Sequence, residues 1–338
     1  MAGTGLTNTA VIAGVGSCVP GPAIANDMLS ERLDTTDEWI RSRTGIAARH
    51  WIEPGQATSD LAVTAGARAV ESAGGEQPQA VVLATSTPDH PCPATAPAVA
   101  WRLGLRGVAA FDVGAVCSGF LYGLAAGAGL IATGFADRVL VIGADTFSTI
   151  LDPADRGTGV IFGDGAGAVV LRRGDGTEPG ALLALDLGSD GAGADLITVP
   201  AGGSRQRSGK TAAPPADSYF KMAGREVFRE SVLRMAESCQ TVLRRSGWTV
   251  ADVDRLVPHQ ANLRIMHGVA DRLGLARDRA VVDLDRVGNT SAASIPLALA
   301  RASAEGTVQA GDRLLLTAFG GGLTWGSATL TWPDVKAV

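Results

Sequence analysis

Cys117, His259 and Asn289 are the side chains of this sequence whose types and settings could do covalent chemistry together. Cys117 sits in residues 111–120 (FDVGAVCSGF), between a short apolar run and a Gly/Ala-rich stretch of helical character. A thiol at a strand-to-helix junction faces unpaired backbone N–H groups and the positive end of a helix dipole, a setting that favours thiolate. His259 lies in residues 257–262 (VPHQAN) and Asn289 in residues 288–291 (GNTS), each closing a strand-like run. One nucleophile, one imidazole and one carboxamide delivered from strand ends suit covalent acyl transfer. Taken singly, a cysteine in an apolar sequence is core filler, a lone histidine is structural, and Asn289 is a turn former. The combination argues otherwise, because loops at strand C-termini are where sites collect in open α/β sheets.

The elements that must position these groups occur twice. Residues 80–84, 109–113 and 138–142 read as strands, and residues 163–171 add a glycine turn and another strand. In the second half the same order returns: residues 255–257, 280–284 and 313–317 read as strands, then a glycine turn at 320–326 precedes a last strand through Trp332. Helices follow Cys117 and, over residues 291–302, Asn289. This alternation predicts an α/β fold with internal duplication: a half at 1–178 carrying the nucleophile and a half at 179–338 carrying His and Asn. Residues 192–217, rich in Gly, Ser and Pro, read as an extended surface excursion. They lead into an amphipathic helix over 225–246, with Phe228, Val232, Met235, Cys239 and Val242 on one face. The GDGAG run at 163–167 lacks the Lys-Ser/Thr of a phosphate loop and precedes a strand, so it reads as a turn.

The bulk properties narrow the function classes. A chain of 338 residues with 46% hydrophobic and 19% charged content fits a soluble enzyme with a large core. Residues 118–135 form the longest apolar stretch, yet glycines at 119, 123, 127, 129 and 134 interrupt it. A helix buried between layers explains it better than a membrane span. The N-terminal MAGTGL lacks the basic start of a secretion signal. The four cysteines (Cys18, Cys92, Cys117 and Cys239) are widely spaced and read as free thiols, which predicts a cytoplasmic protein. No CxxC occurs and the histidines at 50, 90, 259 and 267 are scattered, so no metal site is expected. A net charge of −5 argues against a nucleic-acid partner.

Six segments, in order, resemble the β-ketoacyl-acyl-carrier-protein synthase III family of the thiolase superfamily. They are residues 35–46 (TTDEWIRSRTGI), the Cys117 segment, 161–168 (IFGDGAGA), 257–264 (VPHQANLR), 288–294 (GNTSAAS) and 319–326 (FGGGLTWG). The likeness runs from about Ala10 to Trp332. It implies an α/β thiolase fold of duplicated five-layered α-β-α-β-α architecture, a homodimer, and Cys117, His259 and Asn289 as the catalytic centre. Acyl-CoA is then a substrate and no cofactor is required. Cys117 would take the acyl group, malonyl-acyl-carrier protein would lose CO2, and the resulting carbanion would attack the acyl-cysteine. The backbone N–H of Cys117 and one from residues 319–322, at Gly321, would hold the acylation oxyanion. Nε2–H of His259 and the amide of Asn289 would hold the enolate; an aspartate at 289 would repel that charge.

The resemblance also implies a coenzyme A track. Trp39 and Arg156 would sandwich the adenine, Thr35 and Arg43 would lie near the 3′,5′-ADP, and Gly224, Phe228 and Asn262 would line the pantetheine tunnel. Trp39 also reads as a packing residue, although Asp37 and Glu38 beside it favour a surface groove. Phe319 and Cys92 would bound the acyl pocket, Cys92 standing where straight-chain members carry a phenylalanine that crosses the dimer. Loss of that ring predicts room for longer or branched primers. Arg225, Arg229, Gln260, Arg264 and Arg272 would form the carrier-protein rim, although arginines there also fit a solvated helix face. Arg225 replaces a frequent asparagine. Three other readings stand beside fatty acid initiation: a polyketide starter synthase, a non-condensing acyltransferase, and a silent partner in a condensing heterodimer. Retention of Cys117 argues against the last.

Overall fold

The structure, a computed structural model, describes residues 8–209 and 211–338. Short β-branched and alanine runs build two sheets. The first contains β1 (Thr9–Cys18), β2 (Ala80–Ala84), β3 (Ala109–Val113), β4 (Arg138–Asp145) and β5 (Gly165–Gly174), in spatial order β1-β5-β4-β2-β3. β1 pairs antiparallel with β5 and β5 with β4, whereas β4–β2 and β2–β3 are parallel. The second contains β6 (Leu182–Ser189), β7 (Arg255–Pro258), β8 (Arg313–Gly320) and β9 (Thr324–Thr331), in order β7-β8-β9-β6. Again β6–β9 and β9–β8 are antiparallel and β8–β7 is parallel. Order and sense therefore repeat between the sheets.

The repeat is imperfect at one edge. Residues 280–284, expected as a strand, contribute a single parallel bridge from Ala280 to Leu256. The amides of Asp283 and Leu284 instead donate to Oε1 of Gln260, at 2.8 and 3.2 Å. The chain turns there into the short helix Leu284–Val287.

Five layers follow from which faces are apolar. Helices α1 (Asp37–Thr44), α2 (Thr58–Ser72), α3 (Gly119–Ala132), α4 (Gly224–Ser246), α5 (Leu263–Leu273) and α6 (Ser294–Ala304) complete the frame. α2 covers the outer face of the first sheet, α3 and α6 lie between the sheets, and α4 and α5 cover the outer face of the second. The α-β-α-β-α thiolase architecture is thus present. α3 is the apolar stretch after Cys117. A Cβ at Gly123 would lie 3.0 Å from Val141, and one at Gly127 would lie 2.9 Å from Leu171, so these glycines let the helix settle onto the sheet. Among the described residues no helix is long and apolar enough to cross a membrane. α4 buries Met235, Cys239 and Val242 as its period requires, while Phe228, in its first turns, stays 38% exposed.

Candidate active site

The chain leaves β3 and reverses sharply to reach α3. Val116 takes the turn at φ +46°, a left-handed conformation unusual for a β-branched residue and costing roughly 1–3 kcal/mol. Cys117 follows, in the single 3-10 turn Val116–Ser118 that feeds α3. Its thiol is buried and donates to Oγ of Ser291 at 3.7 Å. Burial pushes this thiol up to about 12; the bond to Ser291 opposes the shift and the charge of Asp145 adds to it. The expectation of a resting thiolate is therefore corrected: desolvation outweighs the helix terminus, and Cys117 rests as a thiol.

His259 follows β7, and its N–H donates to Thr317 O at 2.7 Å, continuing the parallel ladder. Its Nδ1 lies 2.6 Å from Oγ of Ser294, which also accepts the N–H of Gln260 at 3.3 Å. We assign the serine proton to Nδ1 and the imidazole proton to Nε2, the tautomer that leaves an N–H for the cavity. Burial pushes His259 down to about 3, so the ring is neutral. Asn289 is strapped on both sides: its N–H donates to Ile161 O at 2.9 Å, and its carbonyl accepts from Gly163 N at 3.0 Å. Its Oδ1 accepts from Ser291 N at 2.9 Å, so Nδ2 remains for the cavity. Two neutral N–H donors thus stand beside one thiol.

Cys117, His259 and Asn289 line one cavity of about 240 Å³, together with Phe319. Its walls are apolar, formed by Ile161, Phe162, Ile197, Phe220 and Met222. The last glycine of β8 comes close to the nucleophile: a Cβ on Gly320 would lie 2.7 Å from Cys117 N. Gly321 is the next residue, pressed against Ile197.

Gly224, Phe228 and Asn262 form the outer wall and are shared with an open mouth that adds Arg43, Arg225 and Arg264. The amide of Asn262 is already engaged, capping α5 through Arg264 N at 2.9 Å and donating to Arg43 O at 3.1 Å. Trp39 packs one side on the Leu29–Ile40 cluster. The guanidiniums of Arg156 and Arg43 lie 5.5 and 6.0 Å from its ring centre. Arg156 also grips Asp34, at 2.5 Å to its carbonyl. Oγ1 of Thr35 is buried with no hydrogen-bond partner.

Other expected positions fall elsewhere. Gln260 is fully buried, with its amide donating to Pro258 O at 2.8 Å and Val281 O at 3.1 Å. It is an internal brace, and its assignment to a carrier-protein rim is corrected. Arg225, Arg229, Arg264 and Arg272 are exposed. Cys92 is exposed and does not line the cavity of its own chain. The surface excursion at 192–217 returns inward at Ile197, which pairs with Met222 in a two-stranded ribbon. Sequence reasoning gave no role to Ser291, Ser294 or Asp145. The first two stand two and five residues after Asn289, inside the quoted GNTSAAS. Asp145 is wholly buried and accepts from Ser86 N at 2.7 Å and Ala292 N at 3.0 Å, which ties β4 to the Asn289 turn.

Two family models match the chain: 3-oxoacyl-[acyl-carrier-protein] synthase III over residues 111–191, and its C-terminal counterpart over 243–332. Beta-ketoacyl-[acyl-carrier-protein] synthase III 5 of Streptomyces coelicolor is 60% identical, over 98% of this chain and 100% of that protein. The crystal structure of 3-oxoacyl-(acyl carrier protein) synthase III from Pseudomonas aeruginosa PAO1 superposes with TM-score 0.91 at 52% identity, covering 97% of this chain and 99% of that one. A priming β-ketosynthase from a polyketide biosynthetic pathway superposes with TM-score 0.90 at 33% identity, covering 97% of each chain.

Proposed function

From the premise that the chain belongs to the 3-oxoacyl-[acyl-carrier-protein] synthase III family of initiating condensing enzymes, we propose how its own residues carry out the reaction. Sγ of Cys117 attacks the thioester carbon of an acyl-CoA; the S–C bond forms, coenzyme A leaves, and the thiol proton departs with it. The N–H groups of Cys117 and Gly321 hold the tetrahedral oxyanion, where one such donor contributes about 3 kcal/mol. Malonyl-acyl-carrier protein then enters the same cavity and loses CO2. The C–C electron pair passes into an enolate whose oxygen is met by Nε2–H of His259 and Nδ2–H of Asn289. The carbanion attacks the acyl-cysteine, Cys117 leaves and regains a proton, and β-ketoacyl-acyl-carrier protein results. No cofactor beyond the acyl-CoA substrate takes part.

The observation that carries this reading is the convergence of one thiol and two neutral N–H donors on a single apolar cavity. A neutral imidazole with its proton on Nε2 suits enolate stabilisation, and Asn289 adds a donor where a carboxylate would repel. The mouth supports an anionic carrier: Arg43, Arg225 and Arg264 surround it, with Arg229 and Arg272 on the flanking helices. Trp39, Arg156 and the unpartnered hydroxyl of Thr35 extend that track toward an adenine nucleotide. Arg156 must swing off Trp39 to admit the purine. We further assign a homodimer and a cytoplasmic location. The chain divides into halves at 1–178 and 179–338. Similarity to a polyketide priming synthase favours a second reading, starter-unit synthesis for a polyketide, which uses the same steps.

Intact mass measurement after incubation with an acyl-CoA panel tests the reading. One acyl adduct should appear on the wild type and none on Cys117→Ala. Malonyl-acyl-carrier protein should then clear it with release of CO2. An adduct that passes to alcohols or amines while ignoring malonyl-acyl-carrier protein would establish simple acyl transfer instead.

A further inference from the structure

The two N–H groups assigned to the acylation oxyanion come from different halves of the chain, and both sit in tight turns. Gly321 lies in the middle of Gly320-Gly321-Gly322, three residues with no Cβ to restrict their dihedrals. Cys117 follows the reversal at Val116. An oxyanion donor is effective only where it is already aimed when the charge develops. The glycine turn therefore needs something outside itself to fix it against the cysteine turn.

Two hydroxyls make that connection. Thr324 opens β9 directly opposite Gly320, the last residue of β8. Its Oγ1 lies 3.0 Å from Gly321 O and 3.1 Å from Ala115 O, the carbonyl at the base of the Cys117 turn. Oγ of Ser118 lies 2.6 Å from Oγ1 of Thr324 and 2.8 Å from the same Ala115 O. Ser118 is buried and Thr324 half-buried, and neither is among the residues that line the cavity of Cys117. Only two hydroxyl protons serve these contacts. Ala115 O already accepts the N–H of Ser118 at 3.1 Å. The arrangement that leaves neither carbonyl without a donor has Ser118 donating to Thr324 and Thr324 donating to Gly321 O. The Gly321 N–H is then held from both sides. Gly320 before it pairs with the Thr324 backbone, and its own carbonyl is taken by the Thr324 side chain. At the far end of the turn, Leu323 and Asp190 exchange two backbone hydrogen bonds, each of 2.9 Å.

On the reading that the N–H groups of Cys117 and Gly321 hold the acylation oxyanion, we propose that Thr324 is a positioning residue of that oxyanion hole, with Ser118 orienting its hydroxyl. Thr324 acts through Gly321, by keeping the glycine turn in register with the cysteine turn. Only the steps that build a tetrahedral oxyanion on the acyl carbon depend on it: acylation of Cys117, and attack of the carbanion on the acyl-cysteine. Loss of CO2 does not, because its enolate oxygen is met by His259 and Asn289.

Two half-reactions of the intact enzyme separate these steps. One is the rate at which acetyl-CoA labels Cys117, followed by intact mass; the other is CO2 release from malonyl-acyl-carrier protein alone. Thr324→Val keeps the β-branched shape and removes the hydroxyl. It should slow labelling at saturating acetyl-CoA about tenfold, a part of the roughly 10²–10³-fold lost when an oxyanion donor is removed outright. Its half-saturating acetyl-CoA concentration and its CO2 release should stay at wild-type values. Thr324→Ser, which restores the hydroxyl, should recover most of the lost rate. Ser118→Ala should slow labelling less than Thr324→Val; if valine unfolds the chain, Ser118→Ala must still slow labelling and spare CO2 release, or the assignment falls. Wild-type labelling by a folded Thr324→Val overturns it. So does equal slowing of both half-reactions, or a Thr324→Ser variant as slow as valine, since the side chain would then be filling space and not clamping Gly321. Absence of every adduct on wild-type Cys117 would sink the functional reading itself, and this proposal with it.

Discussion

The floor of the cavity and its mouth solve opposite problems with opposite physics. At the floor, burial keeps the reacting groups neutral: the Cys117 thiol is pushed up to about 12 and the His259 imidazole down to about 3. Position there is set by directed hydrogen bonds with Ser291, Ser294 and the Ile161–Gly163 backbone. At the mouth, Arg43, Arg225 and Arg264 remain charged and open to solvent, without a carboxylate partner among the described ion pairs. A floor built this way stabilises charge only when the reaction creates it, because its dipoles are already oriented in a dry site. A mouth built of guanidiniums attracts a charged partner from a distance but holds it loosely, because solvent and salt screen it.

The sharpest way to break this contrast is to remove floor donors. His259→Ala should slow decarboxylation by roughly 10²–10⁴-fold, and Asn289→Ala by roughly 10²–10³-fold, while acylation of Cys117 changes far less. Asn289→Asp should be at least as damaging as alanine, since it places a carboxylate against the enolate. Equal loss in both half-reactions would show that these groups do not act on the enolate selectively.

The next test asks whether the floor is neutral. Iodoacetamide should modify exposed Cys92 first, and Cys117 slowly. The Cys117 rate should rise about tenfold per pH unit through neutrality with no plateau, because thiolate is the reactive form and its pKa lies near 12. His259, held near 3, stays uncharged as pH falls, so malonyl decarboxylation should show no inflection between about pH 8 and about pH 5. A titration near the ordinary histidine value would place the ring in solvent contact. The stability consequence has a definite sign. The unfolded chain takes up a proton at His259 below 6.5 and the folded chain does not, so stability contributed by the neutral ring is lost from 6.5 down to about 3. Ser294→Ala, which removes the acceptor-side partner of the imidazole, should lower the turnover number about tenfold with little change in KM. It should also weaken the tautomer preference, read by imidazole nitrogen NMR shifts.

Much of the floor was legible in the sequence, because strand ends followed by Gly, Asn or Ser mark where backbone stops pairing and side chains become available. Cys117, His259 and Asn289 were found by that signal, and the doubled strand pattern placed both sheets. What escaped it is what depends on three dimensions. Gln260 sits beside His259 in a motif that reads as an exposed loop, yet its amide is wholly spent on internal carbonyls and amides. Residues 280–284 have strand composition, but two of their amides are taken by that same glutamine. The thiolate expectation counted the helix terminus and could not count desolvation. Asp145 gave no local signal, since its meaning is only in whom it meets across distant segments.

The smallest effects belong to the mouth, and they test the comparison from the other side. Arg225→Glu and Arg264→Glu should each raise KM for malonyl-acyl-carrier protein several-fold, in keeping with about 1 kcal/mol for an exposed charge. Turnover at saturation should stay near wild type, because neither side chain reaches the thiol. Raising ionic strength should shrink the difference between these variants and wild type, since the Debye length falls from about 10 Å at 0.1 M salt to about 3 Å at 1 M. The floor variants should show no such convergence, because His259 and Asn289 are buried and buried groups are screened much less by salt. If charge reversal at Arg264 instead lowers turnover and resists salt, the arginine is acting as part of the floor, and the division between a dry, neutral reaction site and a wet, charged entrance would have to be redrawn around α5.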